Sequence, residues 1–198
     1  MQKRLAARLE DDGYGRLIGR EPNLTAEAAE KLYPNLKPKV RDAMIKAHND
    51  VWEFGMKTGR EKGIIIRKST GKVLEQTEGE KSSVKLNLSG YKDDSLIIIH
   101  NHPKSNSFSV ADMVTLNRNR AINTLAIQGQ NGMSYTLRIG NGHRLDMKYP
   151  EVLKNILTIQ FDRIIETTYV KDMSQNELSH RVVKEIADYY GWDYKRFF

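Results

Sequence analysis

Two histidines stand one residue apart at the end of a strongly apolar run. Residues 96–99 are four consecutive branched apolar residues, and His100, Asn101 and His102 follow them. A run this short, with no polar alternation, predicts a strand that is buried on both faces. Because residues i and i+2 of an extended chain point to the same side, both imidazoles can converge on one point. With Asp112 at the start of a predicted helix, they form a three-ligand set that leaves one tetrahedral position of a zinc ion open, as catalytic sites do.

Each of these pieces also has a plainer interpretation. A His-x-His pair at the end of a strand is often only a polar edge. Ser109 and Asp112 have the spacing of a capping box, in which the serine caps a helix and the acid reaches back to it. The order of strand, His-x-His-Pro loop and Ser-x-x-Asp at a helix start is more specific than any one piece, and it favours a metal site.

The sequence H-N-H-P at residues 100–103, with S-x-x-D at residues 109–112, resembles the JAMM motif of the MPN-type zinc metalloproteases (the JAB/MPN/Mov34 group). The asparagine between the histidines is most similar to the RadC-like branch of bacteria and mobile elements. The resemblance covers residues 53–139. The loop between His102 and Ser109 departs from the family pattern, because it is one residue shorter than usual.

This resemblance implies an α/β fold with three layers, of the cytidine-deaminase-like or MPN type, in which helices flank a mixed β-sheet. It implies that Zn²⁺ is bound by His100, His102 and Asp112. It also implies a metallohydrolase that cleaves peptide or isopeptide bonds, with Ser109 donating a hydrogen bond to the oxyanion. The substrate would then be a protein or a peptide.

The family uses a glutamate as general base, and two residues are candidates here. Glu61 comes two residues before a predicted strand that starts at Gly63, which is similar to the position of the family's acid. Glu53 has a similar local sequence but lies on a predicted helix. We favour Glu61 and keep Glu53 as the alternative base.

Around this core the sequence predicts three segments: residues 1–60 with an N-terminal arm and helices, residues 61–140 with the catalytic core, and residues 141–198 with a C-terminal helical extension. The arm (residues 1–22) is polar, basic and interrupted by glycines, which indicates weak order. Further predicted elements are an amphipathic helix at 39–57, strands at 63–68, 73–74 and 83–88, a helix at 110–120, a hairpin at 124–139, and two C-terminal helices, the second between Ser174 and Gly191.

Composition limits the remaining function classes. The chain of 198 residues has a net charge of +7 and no cysteine. Without cysteine there are no disulfides and no thiolate zinc sites, which fits a reducing compartment and a cytoplasmic location. No apolar stretch reaches the length of a membrane span. The basic residues are scattered, so a nucleic-acid partner is compatible with the charge but unsupported by any motif. The amphipathic helix at 39–57 can dock on the core, which we favour, or pair with a second copy in a homodimer.

Two other functions compete with catalysis. The chain could be a non-catalytic MPN/RadC-like binding or structural module of a phage or other mobile-element assembly, or of a DNA-associated assembly. The His-Asn-His sequence also suggests an HNH nuclease. We reject the nuclease, because that motif distributes its residues over a ββα hairpin, whereas residues 100–102 are contiguous.

Overall fold

One sheet of six strands, with five helices packed on it, makes up the part of the chain that the computed structural model describes: residue 22 and residues 24–140, 142–146, 149–168 and 173–197. The predicted arm, residues 1–22, lies outside this part except for Pro22. The helices are α1 (Ala26–Leu32), α2 (Pro38–Thr58), α3 (Val110–Arg118), α4 (Pro150–Thr168) and α5 (Gln175–Tyr190). The strands are β1 (Lys62–Arg67), β2 (Val73–Glu78), β3 (Leu96–His102), β4 (Ile122–Gly129), β5 (Ser134–Arg138) and β6 (Asp193–Phe197).

The strands lie in the order β2-β1-β3-β4-β5-β6. Only β3 and β4 are parallel neighbours, and the other neighbouring pairs are antiparallel. The parallel pair is connected through α3, since parallel strands need a crossover rather than a hairpin. The predicted α/β fold with a mixed sheet is therefore confirmed. Because β3 is paired on both sides, its apolar run is buried as the sequence predicts.

Side chains of β3 alternate between two apolar cores, one on each face of the sheet. Leu96 and Ile98 face a cluster that α3, α4 and α5 cover, and we call this side the α3 face. Ile97 and Ile99 face a second cluster, which α1 and α2 cover, and we call it the α2 face. By the same alternation, the histidines that follow point toward the α3 face. The apolar core therefore determines the side on which the chemistry-bearing residues lie.

Helix boundaries follow the capping residues of the sequence. Thr25 caps α1 by accepting a hydrogen bond from the Ala28 amide, and the glycine at 191 ends α5 in the left-handed conformation. The amphipathic helix predicted at 39–57 is α2, and its apolar side is buried against the sheet, so docking on the core is confirmed. None of the described helices combines the length and apolar character that a membrane crossing requires.

The strand predicted at residues 83–88 is wrong, although the segment is extended. Its side chains alternate in burial, with Val84, Leu86 and Leu88 half-buried. A Cβ atom added to Gly63 would lie 3.1–3.2 Å from side-chain atoms of Val84 and Leu86. The segment therefore lies on the face of the sheet, where its backbone has no ladder of hydrogen bonds to join.

The C-terminal segment contains a strand that the sequence analysis did not predict. The segment lies within the predicted helical extension at residues 141–198. Trp192 is buried, and the residues after it form β6, which pairs with β5 at the edge of the sheet. The segment predicted as a helical extension thus also contributes to the central sheet.

A network of buried polar side chains holds α2 against the end of β4. His48 Nε2 lies 2.6 Å from the hydroxyl of Tyr33, and His48 Nδ1 lies 2.8 Å from Gln128 Oε1. Ser134 Oγ donates a third hydrogen bond, of 2.7 Å, to the same Gln128 oxygen. Burial lowers the pKa of His48 to about 4, so the imidazole is neutral at neutral pH.

This histidine makes stability depend on pH. The pKa of His48 is near 6.5 in an unfolded chain and about 4 in the folded protein, so acidification favours the unfolded state, which binds the proton more tightly. Between pH 7 and pH 4 the free energy of unfolding should fall by about 3 kcal/mol from this group alone. His48→Gln keeps hydrogen-bonding capacity and cannot titrate. The difference between the urea midpoints at pH 7 and at pH 4 should therefore be smaller in this variant than in wild type. Equal pH dependence in the two proteins would contradict the assignment.

Candidate metal centre

The end of β3 and the first turn of α3 bring the three predicted ligands together. His100 and His102 extend from the same side of β3. The helix that carries Asp112 has Ser109 as its N-cap and begins at Val110, so only a short loop separates it from His102. The shortened loop does not prevent this arrangement, because its turn is closed by a 2.9 Å hydrogen bond from the Ser105 amide to the His102 carbonyl. The three residues are buried or half-buried.

Distances among the ligand atoms fit a tetrahedral zinc ion. The Nε2 atoms of His100 and His102 are 2.9 Å apart. Asp112 places Oδ1 at 3.3 Å from the first nitrogen and Oδ2 at 3.5 Å from the second. Two ligands of a tetrahedral zinc ion lie about 3.3 Å apart, because each bond is about 2.0–2.1 Å long. These donors could therefore hold a metal ion, and their chemistry suits zinc.

Two neighbouring groups orient these ligands. His102 Nδ1 lies 3.0 Å from the backbone carbonyl of Asn106, so it donates there and leaves Nε2 free to bind a metal. Ser109 donates its amide and its hydroxyl to Asp112 Oδ2, at 2.8 and 2.6 Å, and accepts a hydrogen bond from the Asp112 amide. The capping box is therefore present. Because the single hydroxyl hydrogen of Ser109 points to Asp112, the oxyanion role predicted for it requires the hydroxyl to rotate.

Without a metal, Asp112 provides the negative charge that the two imidazoles share. Burial opposes ionisation of Asp112, but His100, His102 and Ser109 outweigh it and hold its pKa well below the usual range. Burial also disfavours a proton on His100, yet the carboxylates of Asp112 and Glu61 raise its pKa above the ordinary value. Burial lowers the pKa of His102 to about 4. A divalent cation would take the place of the proton at the centre of this cluster.

Glu61 lies in the same cleft, immediately before β1, and is 6 % exposed. Its amide donates to the Glu80 carbonyl at 2.8 Å, and its carbonyl accepts from the Gly79 amide at 2.7 Å. Burial raises the pKa of its carboxyl to about 7, while His100 lowers it and Asp112 raises it. A carboxyl group with this pKa can accept and release a proton at neutral pH.

The alternative base, Glu53, lies elsewhere. It is exposed on α2, pairs with Lys57 at 3.8 Å, and is not among the residues that line the cleft. The geometry thus favours Glu61 over Glu53.

The cleft beside the ligands has a volume of about 750 Å³. One wall is the extended segment at 81–86, and the other is the ligand loop with the first turn of α3. Phe161 and Ser179 add a wall from α4 and α5. A cleft of this size can take several residues of an extended peptide.

Sequence reasoning missed the contacts that the C-terminal segment makes with the ligand loop. The Ser107 amide donates to Ser179 Oγ at 3.1 Å, and Ser107 Oγ lies 2.9 Å from the Tyr194 hydroxyl. That hydroxyl is also 2.8 Å from His180 Nδ1, so His180 belongs to the same cluster. No local signal could have indicated these contacts, because 72 and 87 residues separate the partners of Ser107 from it in the chain.

Gly79 lets the chain pass close enough to hold Glu61. A Cβ atom at this position would lie 2.2 Å from the Ser83 carbonyl and 2.8 Å from Val84. We expect Gly79→Ala to lower the free energy of unfolding by about 1–3 kcal/mol, because the segment at 83–84 must move. The matched control is Gly140→Ala, whose nearest neighbour would be 3.7 Å away, so it should change stability by less than about 0.5 kcal/mol. Urea unfolding measures both, and equal effects would argue against the close packing.

No protein-family model matches the chain, and no curated protein or solved structure does either.

Proposed function

We propose that this protein is a zinc-dependent hydrolase of peptide or isopeptide bonds. The observation that carries the proposal is the convergence of His100, His102 and Asp112, whose ligand atoms lie within 4.8 Å of one another at the wall of a cleft that also contains a buried glutamate. The ligand set and the helix cap agree with the resemblance to the JAMM motif. The helices on both faces of the mixed sheet support the three-layer MPN-type fold as part of the same proposal.

The residues divide the chemistry among them. Zinc bound to this ligand set would supply a Lewis acid with an open position, which makes water a nucleophile near neutral pH. Glu61 takes a proton from the nucleophile and gives it to the leaving amine, for which its buried position in the same cleft as the ligands is suitable. Ser109 and Asn106 keep the ligands oriented. The walls of the cleft exclude part of the solvent and hold an extended polypeptide across the centre.

The experiment that tests this function has two parts. Elemental analysis of protein purified without chelator should give about one zinc per chain. The zinc protein should then cleave members of a peptide and isopeptide library, and a chelator should abolish the cleavage.

The alternative, a non-catalytic binding or structural module, predicts a different combination. Zinc would stabilise the fold, and no peptide or isopeptide in the library would be cleaved. Absence of zinc from the purified protein, and no binding of added zinc, would reject the proposed function outright.

A further inference from the structure

Asn101 stands between the two histidine ligands, and neither the ligand set nor the base uses its side chain. The residue is 0 % exposed and points toward the α2 face, opposite to its neighbours. Its Oδ1 accepts a hydrogen bond of 2.7 Å from the Lys62 amide. Its Nδ2 donates one of 3.0 Å to the Arg60 carbonyl. One amide group therefore binds the backbone on both sides of Glu61.

We propose that Asn101 is a positioning residue that holds Glu61 beside the metal ligands; this inference rests on the proposed function. The two residues next to Asn101 supply imidazole ligands, so its amide connects the ligand strand directly to the backbone of the base. A carboxamide offers an acceptor and a donor on two separate atoms, which suits two backbone groups that stand on either side of Glu61. Aspartate would present an oxygen to the Arg60 carbonyl, and an apolar side chain would leave both backbone groups without a partner.

The packing on α2 fixes the orientation of this amide. A Cβ atom at Gly55 would lie 2.3 Å from Asn101 Nδ2 and 2.6 Å from Gln130 Nε2, so the helix leaves no space into which the amide could turn. Trp52, also on α2, donates its Nε1 hydrogen to the Gln130 carbonyl at 3.1 Å, and this bond holds Gln130 next to Gly55. The position of Glu61 therefore depends on Asn101, whose own position is set by β3 and by the packing against α2.

Removing the amide should displace Glu61 without unfolding its segment. The Glu61 amide and carbonyl keep their hydrogen bonds to Glu80 and Gly79 in Asn101→Ala. The ligands keep their strand and their helix, so zinc binding should persist. A displacement of about 1 Å at a reacting group can lower the rate by about 100-fold.

The test compares Asn101→Ala with Asn117→Ala. Asn117 is a matched control, because it is also buried and its amide also makes two backbone hydrogen bonds, to the Leu145 carbonyl at 2.9 Å and from the Leu145 amide at 2.8 Å. Zinc should be retained in both variants at one ion per chain. With a substrate from the library, Asn101→Ala should lower kcat by about 100-fold with little change in KM, and Asn117→Ala should leave kcat unchanged. Asn101→Asp keeps the acceptor for the Lys62 amide and should fall between wild type and Asn101→Ala.

Two further measurements do not need a substrate. In the zinc-free protein, hydrogen exchange at the Lys62 amide should accelerate by about 10- to 100-fold in Asn101→Ala and not in Asn117→Ala. In the protein loaded with Co²⁺, the visible spectrum of Asn101→Ala should shift in the same direction as that of Glu61→Gln. If Asn101→Ala does not fold, Asn101→Asp serves for the Co²⁺ measurement, because it breaks the bond to the Arg60 carbonyl. Its Lys62 amide should exchange at the wild-type rate, since the acceptor for that amide is kept.

These results separate the two proposals. A wild-type protein that binds zinc but cleaves nothing refutes the proposed function, while Lys62 exchange and the Co²⁺ spectrum still decide whether Asn101 holds Glu61 at the metal. A wild-type Co²⁺ spectrum in Asn101→Ala overturns the positioning role. So does a tenfold loss of zinc affinity, since Asn101 would then support the ligands rather than the base.

Discussion

Asp112→Asn is expected to remove zinc binding while leaving the fold intact. The change keeps the size of the side chain and an oxygen for the capping hydrogen bonds of Ser109, but it removes the charged ligand. Zinc affinity should fall by more than about 100-fold, because loss of an orienting neighbour alone lowers affinity by about 10- to 100-fold. Elemental analysis should give one zinc in wild type and none in the variant.

Thermal unfolding gives an independent measure of the same prediction. Zinc at a hundredfold excess over its Kd stabilises the folded state by about 2.7 kcal/mol, which raises Tm by about 5–10 °C in a chain of this size. Wild type should show this shift and Asp112→Asn should not. Asp188→Asn is a control that removes one carboxylate from an exposed position on α5, and it should keep the full shift. Zinc at wild-type stoichiometry in Asp112→Asn would refute the ligand assignment.

Glu61→Gln is expected to retain zinc and to lose cleavage. A general base contributes about 10²- to 10⁴-fold to the rate, and glutamine cannot accept the proton. In wild type only the ionised carboxylate acts as a base. Its pKa is about 7 without a metal, and zinc beside it lowers that pKa, so the rate should fall about tenfold per unit of pH along an acid limb that lies below pH 7. Steady-state rates from pH 5 to pH 9 measure this limb, which should be absent from the residual rate of the variant.

The raised pKa of Glu61 also makes the free energy of unfolding depend on pH. Its pKa is raised from 4.5 in the unfolded chain to about 7 in the folded protein, so the folded state loses stability as the pH rises through this range. In the metal-free protein, Glu61→Gln should therefore be more stable than wild type at pH 8. Glu53→Gln is the control, because its exposed carboxylate does not line the cleft, and it should keep wild-type activity. A rate lost in Glu53→Gln and kept in Glu61→Gln would reverse the assignment of the base.

What the sequence could predict depended on how local the signal was. The buried strand, the alternation that places two imidazoles on one side, and the Ser-x-x-Asp cap are all properties of neighbouring residues, and each is present. The choice between Glu61 and Glu53 needed the position of α2, which only the folded chain provides. The segment at 83–88 has strand periodicity, but whether it joins the sheet depends on space at an edge, which periodicity does not encode.

Contacts across long stretches of chain were beyond local reasoning. Asn101 could be read from the sequence only as the middle of a motif, because its partners lie 39 and 41 residues earlier. The strand β6 follows a helix and contains charged and aromatic residues in no clear alternation, so its pairing with β5 had no signal of its own. Tertiary packing decided both cases.

The link between Ser107 and Tyr194 also bears on the newly synthesised chain. His100, His102 and Asp112, the predicted ligands, leave the ribosome long before β6, yet Ser107 in the loop between them gains its hydrogen bond to Tyr194 only 87 residues later. At usual elongation rates this interval lasts roughly 5 to 15 seconds. During that time Ser107 lacks this contact. We expect the loop between the predicted ligands to reach its folded conformation only after β6 has been synthesised and paired with β5.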